Sequence, residues 1–337
     1  MTSPKKIKPI CLEWLTLAYT LFTTLLMACF WTEMKNPLPL LEGRAFIVGG
    51  MCLLYLIYRA KPGRYTLFLR YLFPLTLLGY WYPDTYEFCQ LFPNLDHVFS
   101  QAELTLFGCQ PSIVFSQWMP SKLWSELFHL GYFSYYPLIF LTILEPWATN
   151  RKAFERTAFI VLGSFFLYYL IYLFLPVAGP QYYFQAVGFD RIEEGVFPAL
   201  GDYFRTHSDL APSPGPEGFF RGLVESTQAS GERPTAAFPS SHVGVSTVLM
   251  LLLWTNRRCL FFLSLPFYIL LCAATVYIQA HYLIDVFGGW LTAVAFYFLF
   301  QWTYNRFFLA DNPFTGTEPV EDCRSSGRVV GLTLVGA

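Results

Sequence analysis

Long apolar runs separated by short polar turns dominate this chain of 337 residues. The runs cover residues 11–31, 45–58, 65–82, 123–144, 157–175, 243–255, 260–280 and 283–303. A helix of about 20 apolar residues spans the hydrocarbon core of a bilayer and satisfies its own backbone hydrogen bonds there. The pattern therefore predicts an all-α fold, a polytopic membrane helix bundle with about eight transmembrane helices. The run at 243–255 reaches only about 20 Å as a helix, so we expect it to start below the membrane surface, in a pocket.

The first run has a second interpretation, as a secretory signal segment that ends near Cys29. The bulky Phe30 and Trp31 that follow argue against cleavage there. We therefore interpret the first run as a membrane span.

Basic residues mark one side of the predicted bundle. Turns with Lys or Arg lie at residues 5–8, 59–64, 151–156 and 257–258, and eight crossings place all four on the same side. Such turns are typical of the cytosolic side, so we expect both termini in the cytosol. The segments 32–44, 83–122 and 176–238 and the turn at His281 then face the extracytoplasmic side. That side is periplasmic in a bacterium and luminal in a eukaryotic secretory membrane.

Composition agrees with a membrane protein and argues against other classes. Charged residues make up 13% of the chain, whereas soluble domains average about 25%. No basic cluster indicates a nucleic-acid partner. The eight cysteines form no C-x-x-C pair that would indicate zinc or a redox motif. Cys89 and Cys109 fall in one predicted external loop, which leaves a disulfide between them open.

Two histidines carry the candidate chemistry. His281 and Asp285 are four residues apart, so on a helix they share a face, and the carboxylate can orient the imidazole as a base or nucleophile requires. His242 lies at the start of the sixth run. Because the sixth and seventh runs form a hairpin, both histidines are predicted at the same membrane face. The alternative for either one alone is a buried histidine whose hydrogen bonds are satisfied.

The segment before His242 has the features of a phosphate site. Ser240 and Ser241 can cap a helix whose N-terminus binds phosphate, and the Arg233 guanidinium matches phosphate oxygens. His242 can donate a proton to a leaving oxygen while His281 attacks phosphorus. No metal and no cofactor are required. The simpler interpretations are that the serines only cap the helix and that Arg233 is solvated.

These residues resemble a known family. The segments 239–242 and 281–285 look like the second and third signature motifs of the type-2 phosphatidic acid phosphatase superfamily, over a six-helix core at about 123–306. The resemblance implies that His242 is the general acid and that His281, backed by Asp285, is the nucleophile. Two positions depart from the family pattern. Ser226 stands where the first motif has lysine, and residues 274–275 are Ala-Thr where the third motif has Ser-Arg.

In its departures from the family pattern, the sequence is similar to one branch of that superfamily, the inositol phosphorylceramide synthases. Residues 275–285 and 178–183 both resemble that branch. The resemblance adds four residues to the expected substrate pocket: Gly179, Pro180, Gln181 and Tyr277. Gly179 and Pro180 can also be read as a simple chain turn.

We therefore predict three regions and an enzymatic function. Residues 1–122 form an N-terminal transmembrane region with three spans and an external interfacial segment, 123–310 a six-segment catalytic core with the external loop 176–238, and 311–337 a cytosolic tail. The expected activity is that of a metal-independent lipid phosphatase or headgroup phosphotransferase with a lipid phosphate or phospholipid substrate in the bilayer. The acceptor is water or a lipid alcohol. The alternatives are a proton-coupled transporter and a non-catalytic lipid-binding relative.

Overall fold

The computed structural model describes residues 8–314. Lys5, Lys6 and the part of the predicted tail from residue 315 onward lie outside this range. The described part of the chain consists of helices joined by turns and loops and contains no strand, which confirms the all-α fold. Its α-helices are α1 Cys11–Cys29, α2 Pro37–Ala60, α3 Arg64–Thr76, α4 Leu78–Cys89, α5 Asp96–Phe107, α6 Pro111–Trp118, α7 Lys122–Phe133, α8 Tyr135–Thr149, α9 Arg151–Phe174, α10 Pro180–Val187, α11 Phe189–Glu193, α12 Phe219–Gly231, α13 Ser241–Asn256, α14 Arg258–Tyr277 and α15 Leu283–Phe307. Two short 3-10 helices lie at Tyr203–Arg205 and Leu309–Asp311.

Six segments of the described chain are long and apolar enough to cross a membrane. They are Cys11–Cys29, Pro37–Ala60, Lys122–Thr149, Arg151–Phe174, Arg258–Tyr277 and Leu283–Phe307. The other two predicted spans are broken or short. The third is divided into α3 and α4, which contain Pro74 and Pro83, and each proline removes a helix hydrogen bond. The sixth, α13, has 16 residues. The total of eight crossings therefore stays a prediction.

Helix α9 is the centre of the bundle. It packs against α1, α4, α8, α13 and α15, and most of its side chains are buried around the whole circumference. A helix that is apolar on all faces is typical of such a central position. Two of its buried tyrosines reach the neighbouring site elements, because the Tyr172 hydroxyl donates to the Pro239 carbonyl at 2.8 Å and Tyr168 contacts Gly289 at 3.2 Å.

The start of α13 lies directly against the start of α15. A Cβ atom on Gly289 would stand 2.7 Å from the Ser240 carbonyl oxygen, so only glycine permits this approach. The Ser240 N–H donates to the Asp285 carbonyl at 3.1 Å, which links the two helix ends. The segment that holds His242 is thereby fixed beside the segment that holds Asp285.

The basic turns at 151–156 and 257–258 lie at the end of the bundle opposite the histidines. The Arg156 guanidinium donates to the Asn256 side chain at 2.9 Å, so the start of α9 meets the end of α13. The Tyr304 hydroxyl donates to Glu155 at 3.2 Å, so the end of α15 lies there too. Helices α13 and α15 begin at the other end, which carries His242 and the turn before α15.

The predicted external segments are more regular than their composition indicates. Segment 176–238 contains α10, α11, α12 and a short 3-10 helix, and the interfacial stretch forms α5 and α6. Helix α12 packs against α7. Cys89 and Cys109 are both free thiols, and Cys89 is buried, so the structure has no disulfide between them.

Candidate active site

His242 and His281 meet at one end of the bundle, as the predicted hairpin topology requires. His242 is the second residue of α13, and His281 lies in the turn between α14 and α15. Nε2 of His281 is 3.4 Å from Nδ1 of His242, and the ring centroids are 5.6 Å apart. Two residues 39 positions apart in sequence therefore form one site.

A backbone carbonyl holds the His281 ring. Nδ1 of His281 lies 2.8 Å from the Ala237 carbonyl oxygen. Because a carbonyl only accepts hydrogen bonds, Nδ1 carries the proton in this arrangement, and Nε2 keeps its lone pair. That lone pair points toward His242. The backbone of the segment before α13 thus sets the tautomer that a nucleophilic histidine needs.

Asp285 lies near His281 but makes its shortest contact elsewhere. Its Oδ2 is 3.5 Å from His281 Nδ1, and the same oxygen accepts from the Tyr282 N–H at 2.8 Å. Asp285 therefore caps the N-terminus of α15 and stands behind the imidazole at ion-pair distance. Its Oδ1 is buried and has no hydrogen-bond partner within residues 8–314.

Burial keeps His281 neutral. The ring is almost fully enclosed, and this burial lowers the pKa of His281 to about 4, although the Ala237 carbonyl and the charge of Glu232 act to raise it. At neutral pH the imidazole is therefore uncharged. An uncharged imidazole with a free Nε2 lone pair is the form that attacks phosphorus.

Two tyrosines enclose the His242 ring. Tyr132 of α7 stacks on it with ring centroids 4.6 Å apart, and Tyr135 of α8 lies at 4.7 Å. These contacts fix the plane of the ring while one edge faces His281. The predicted general acid is thereby held in one orientation, as proton transfer to a leaving group requires.

A cleft opens in front of the two histidines. It encloses about 400 Å³ of empty space, counting the part open to solvent. Its polar lining consists of both histidines and the residues Tyr82, Tyr132, Gln181, Tyr182, Glu232, Arg233, Thr235 and Ser241. Among these, Arg233 is the one cation, and its Nη1 donates to the Glu232 carbonyl at 2.9 Å. Within residues 8–314, no group of three or more His, Cys, Asp or Glu side chains could hold a metal ion.

The predicted phosphate-binding serines have different surroundings. Ser240 is buried, and its Oγ accepts from the Val243 N–H at 3.3 Å, which is the geometry of a helix cap. Ser241 lines the cleft. The start of α13, with its positive end of the helix dipole, therefore faces the space where an anion would lie.

The four predicted pocket residues divide between the cleft and its surroundings. Gln181 lines the cleft. Gly179 has a φ of +96°, and a Cβ atom there would stand 2.6 Å from the Ala280 carbonyl, so it packs against the His281 turn. Pro180 begins α10 directly after it. Tyr277 is not among the residues that line the cleft, and its hydroxyl donates to the Met119 carbonyl at 3.0 Å.

Sequence reasoning missed several residues of the site. The Ala237 carbonyl leaves no sequence signal, because any residue type has one. Asp96 is fully buried and accepts four hydrogen bonds, from the Ala178 and Gly179 N–H groups and from the Asn94 and Tyr282 side chains, at 2.6–3.0 Å. Glu103 and Glu232 were also missed. Each is an acidic residue in a polar stretch, which sequence alone does not distinguish from a solvated one.

Comparison with known families gives a match over the core of the chain. A family model described as PAP2 superfamily matches residues 102–299, more than half of the chain and including both histidines. No curated protein and no solved structure matches the chain at a significant level.

Proposed function

We propose that this chain, which belongs to the PAP2 superfamily, is an integral-membrane enzyme that cleaves or transfers the phosphate or phosphorylated headgroup of a lipid. The contact between His281 Nε2 and His242 Nδ1 at 3.4 Å carries the proposal. It supports an unprotonated nucleophile and a proton donor that reach the same phosphorus atom from one cleft. Membership of the superfamily agrees with a phosphatase-type reaction, and the long apolar helices agree with a substrate in the bilayer.

The proposed reaction has two steps. In the first, the Nε2 lone pair of His281 attacks phosphorus, the bond from phosphorus to the leaving oxygen breaks, and His242 donates a proton to that oxygen. In the second, a hydroxyl group attacks the phosphohistidine and releases His281. Arg233 and the start of α13 stabilise the negative charge on the phosphoryl oxygens.

The identity of the group that accepts the phosphoryl group from His281 decides between two reactions. With water the enzyme is a phosphatase, and with a lipid alcohol it is a headgroup transferase. The resemblance of residues 178–183 and 275–285 to the inositol phosphorylceramide synthase branch supports the transferase. Thr275 stands where the third motif of the superfamily has an arginine, and its Oγ donates to the Cys272 carbonyl at 2.8 Å within the buried part of α14.

The test uses purified protein in detergent and a panel of lipid phosphates and phosphodiesters, with and without an added lipid alcohol. Products are identified by mass spectrometry for the parent, His281→Ala and the control His207→Ala, which removes an exposed histidine. Inorganic phosphate independent of the alcohol indicates a phosphatase, and a headgroup moved to the alcohol indicates a transferase. Full activity of His281→Ala would exclude the phosphohistidine.

The proposed orientation places the cleft on the extracytoplasmic face and both termini in the cytosol. It is supported by the basic turns at 151–156 and 257–258, which lie at the end of the bundle opposite the histidines. Cys259, exposed beside the turn at 257–258, then faces the cytosol. In a variant with no other cysteine, a membrane-impermeant thiol reagent should label it only after permeabilisation. Labelling of Cys259 in intact cells would show that the protein has the opposite orientation in the membrane.

A further inference from the structure

The charges that line the cleft limit the charge of the phosphate it can hold. Among the described residues of the lining, Arg233 and Glu232 are the ones with a permanent charge, one of each sign. His242 adds a positive charge when it is protonated, as a proton donor has to be. His281 stays neutral, because burial lowers its pKa to about 4. In the reacting state, two positive charges and one negative charge therefore leave the lining with a net charge of +1.

The Glu232 carboxylate lies close to both histidines. Its Oε1 accepts from the uncharged Tyr132 hydroxyl at 3.2 Å, and Tyr132 stacks on the His242 ring. The charge of Glu232 also acts on His281. In the part of the chain that the structure describes, no lysine, arginine or histidine forms an ion pair with this carboxylate. It therefore repels a phosphoryl group that lies against the histidines, and this Coulomb repulsion acts without direct contact.

A phosphate monoester and a phosphodiester differ by one charge at this position. Above its second pKa a monoester carries two negative charges, whereas a phosphodiester carries one. The single charge of a diester balances the net charge of the lining. A monoester leaves one negative charge unbalanced in a partly enclosed site, where the repulsion is stronger than in open water. Without Glu232 the lining would match the two charges of a monoester instead.

We propose that Glu232 determines the substrate class of this site, because its charge selects a phosphodiester lipid over a phosphate monoester. This inference rests on the function proposed above and makes it more specific. Nε2 of His281 forms a bond to phosphorus, one ester bond breaks, and the departing oxygen takes its electron pair and the proton of His242. The second ester group stays on phosphorus, so the phosphoryl group on His281 keeps a single negative charge. Glu232 takes no proton in this step.

Two lipids that differ by one methyl group test the effect of the charge. At pH 9 phosphatidic acid carries two negative charges, and its methyl ester, phosphatidylmethanol, carries one. Their dissociation constants are measured at that pH in a non-ionic detergent with His281→Ala, which cannot form the phosphohistidine and leaves both lipids intact. We expect phosphatidylmethanol to bind more tightly. In His281→Ala/Glu232→Gln the ratio of the two constants should shift toward phosphatidic acid, on the order of tenfold.

Two control variants, made in the same His281→Ala background, separate the charge from the side chain. Glu232→Asp keeps the charge and should keep the ratio. Glu217→Gln, which changes an exposed glutamate of the same segment, should keep it too. In the active protein, the ratio of kcat/KM for the two lipids should shift with Glu232→Gln in the same direction.

Selection by Glu232 is excluded if phosphatidic acid binds more tightly than phosphatidylmethanol to His281→Ala, a comparison that needs no change at Glu232. It is also excluded if the ratio is the same in His281→Ala/Glu232→Gln, with folding checked by thermal unfolding. If neither lipid binds to folded protein, the proposed function itself is wrong. The two failures are therefore distinguishable, since binding of both lipids at an unchanged ratio contradicts only the inference about Glu232.

Discussion

The buried charges of the N-terminal helices and those around the histidines are arranged in opposite ways. Arg44 of α2 and Asp84 of α4 form two parallel hydrogen bonds at 3.0 and 2.8 Å, and both side chains are buried. Arg70 of α3 and Glu13 of α1 do the same at 2.7 and 2.6 Å. Each cation there faces a carboxylate in bidentate geometry, the arrangement that best offsets the cost of removing two charges from water.

The ionisable groups of the site lack such partners. Asp285 and Glu103 each have one buried carboxyl oxygen with no hydrogen-bond partner in the described range, 8–314. His281 contacts a carbonyl and a second histidine, and no arginine or lysine of residues 8–314 forms an ion pair with Asp285. Groups that are buried but incompletely paired are more typical of functional sites than of structural ion pairs. The comparison indicates that paired charges hold α1–α4 together, while the ionisable groups near α13 and α15 are available for chemistry.

The largest effect should follow from breaking one of the N-terminal pairs. Arg44→Ala leaves Asp84 buried without a partner, and we expect the free energy of unfolding to fall by about 3–5 kcal/mol. Activity per folded molecule should stay near that of the parent, because Arg44 is not one of the residues that line the cleft. Thermal unfolding in detergent measures the first quantity, and turnover corrected for folded protein measures the second.

The double variant Arg44→Leu/Asp84→Leu is the control for this prediction. It removes both charges and should recover most of the lost stability, because two apolar side chains leave no unpaired charge. If Arg44→Ala instead abolishes turnover in protein that remains folded, the division between structural and functional charges is wrong.

Substitution of Asp96 should have an effect of intermediate size. Its carboxylate accepts four hydrogen bonds, and one of them comes from Tyr282, which is adjacent to His281 in the chain. Asp96 ties the Ala178 and Gly179 N–H groups to the hydroxyl of Tyr282, the neighbour of His281. Asp96→Asn cannot accept all of these hydrogen bonds. We expect kcat to fall by about 10²-fold through misplacement of His281, with a smaller change in KM. Tyr282→Phe, which removes one of the four hydrogen bonds, should lower kcat less.

Separate measurement of kcat, KM and thermal unfolding distinguishes positioning from general stability. If Asp96→Asn unfolds at lower temperature but keeps the parent kcat per folded molecule, Asp96 acts only on the fold.

The pH dependence tests the burial of His281. Because burial lowers its pKa to about 4 from an ordinary value of 6.5, the neutral nucleophile persists as pH falls from 7 to about 5. For a phosphodiester substrate, whose own charge is constant, we expect protonation of His281 to cause no loss of kcat/KM over that range and to cause a fall below about pH 4.5. An acid limb near pH 6.5 would show that His281 is solvated. Repeating the profile in Glu232→Gln removes the titration of the neighbouring carboxylate.

Much of this arrangement was predictable because it depends on short-range patterns. The apolar runs predict the all-α fold, and the hairpin of the sixth and seventh runs predicts that His242 and His281 meet. The remainder depends on the path of the backbone. The Ala237 carbonyl holds His281 more closely than Asp285 does, and no residue type signals that. Likewise, the role of Asp96 requires α5 to reach the Ala178–Gly179 turn, 82 residues later, and polar composition gives no such distance.

The smallest effect is expected at Glu103, which tests whether incomplete pairing alone implies function. Its Oε1 accepts from the Ile284 N–H at 3.1 Å. Burial raises the pKa of Glu103 to about 8, and the charge of Asp285 contributes, so the side chain is protonated at pH 7. Glu103→Gln is also neutral and should keep turnover at pH 7 within about threefold of the parent.

The pH dependence of stability tests the protonation state of Glu103 more directly than turnover does. The folded state holds the Glu103 proton more tightly than the unfolded chain, where the ordinary value is 4.5. The contribution of Glu103 is therefore greatest below about pH 4.5 and is lost as pH rises to about 8. Glu103→Gln should flatten that decline in thermal unfolding between pH 5 and 9, whereas Glu217→Gln should not. If the parent and Glu103→Gln decline alike, Glu103 is ionised when buried, and its unpaired oxygen would then belong with the chemistry of Asp285 and His281.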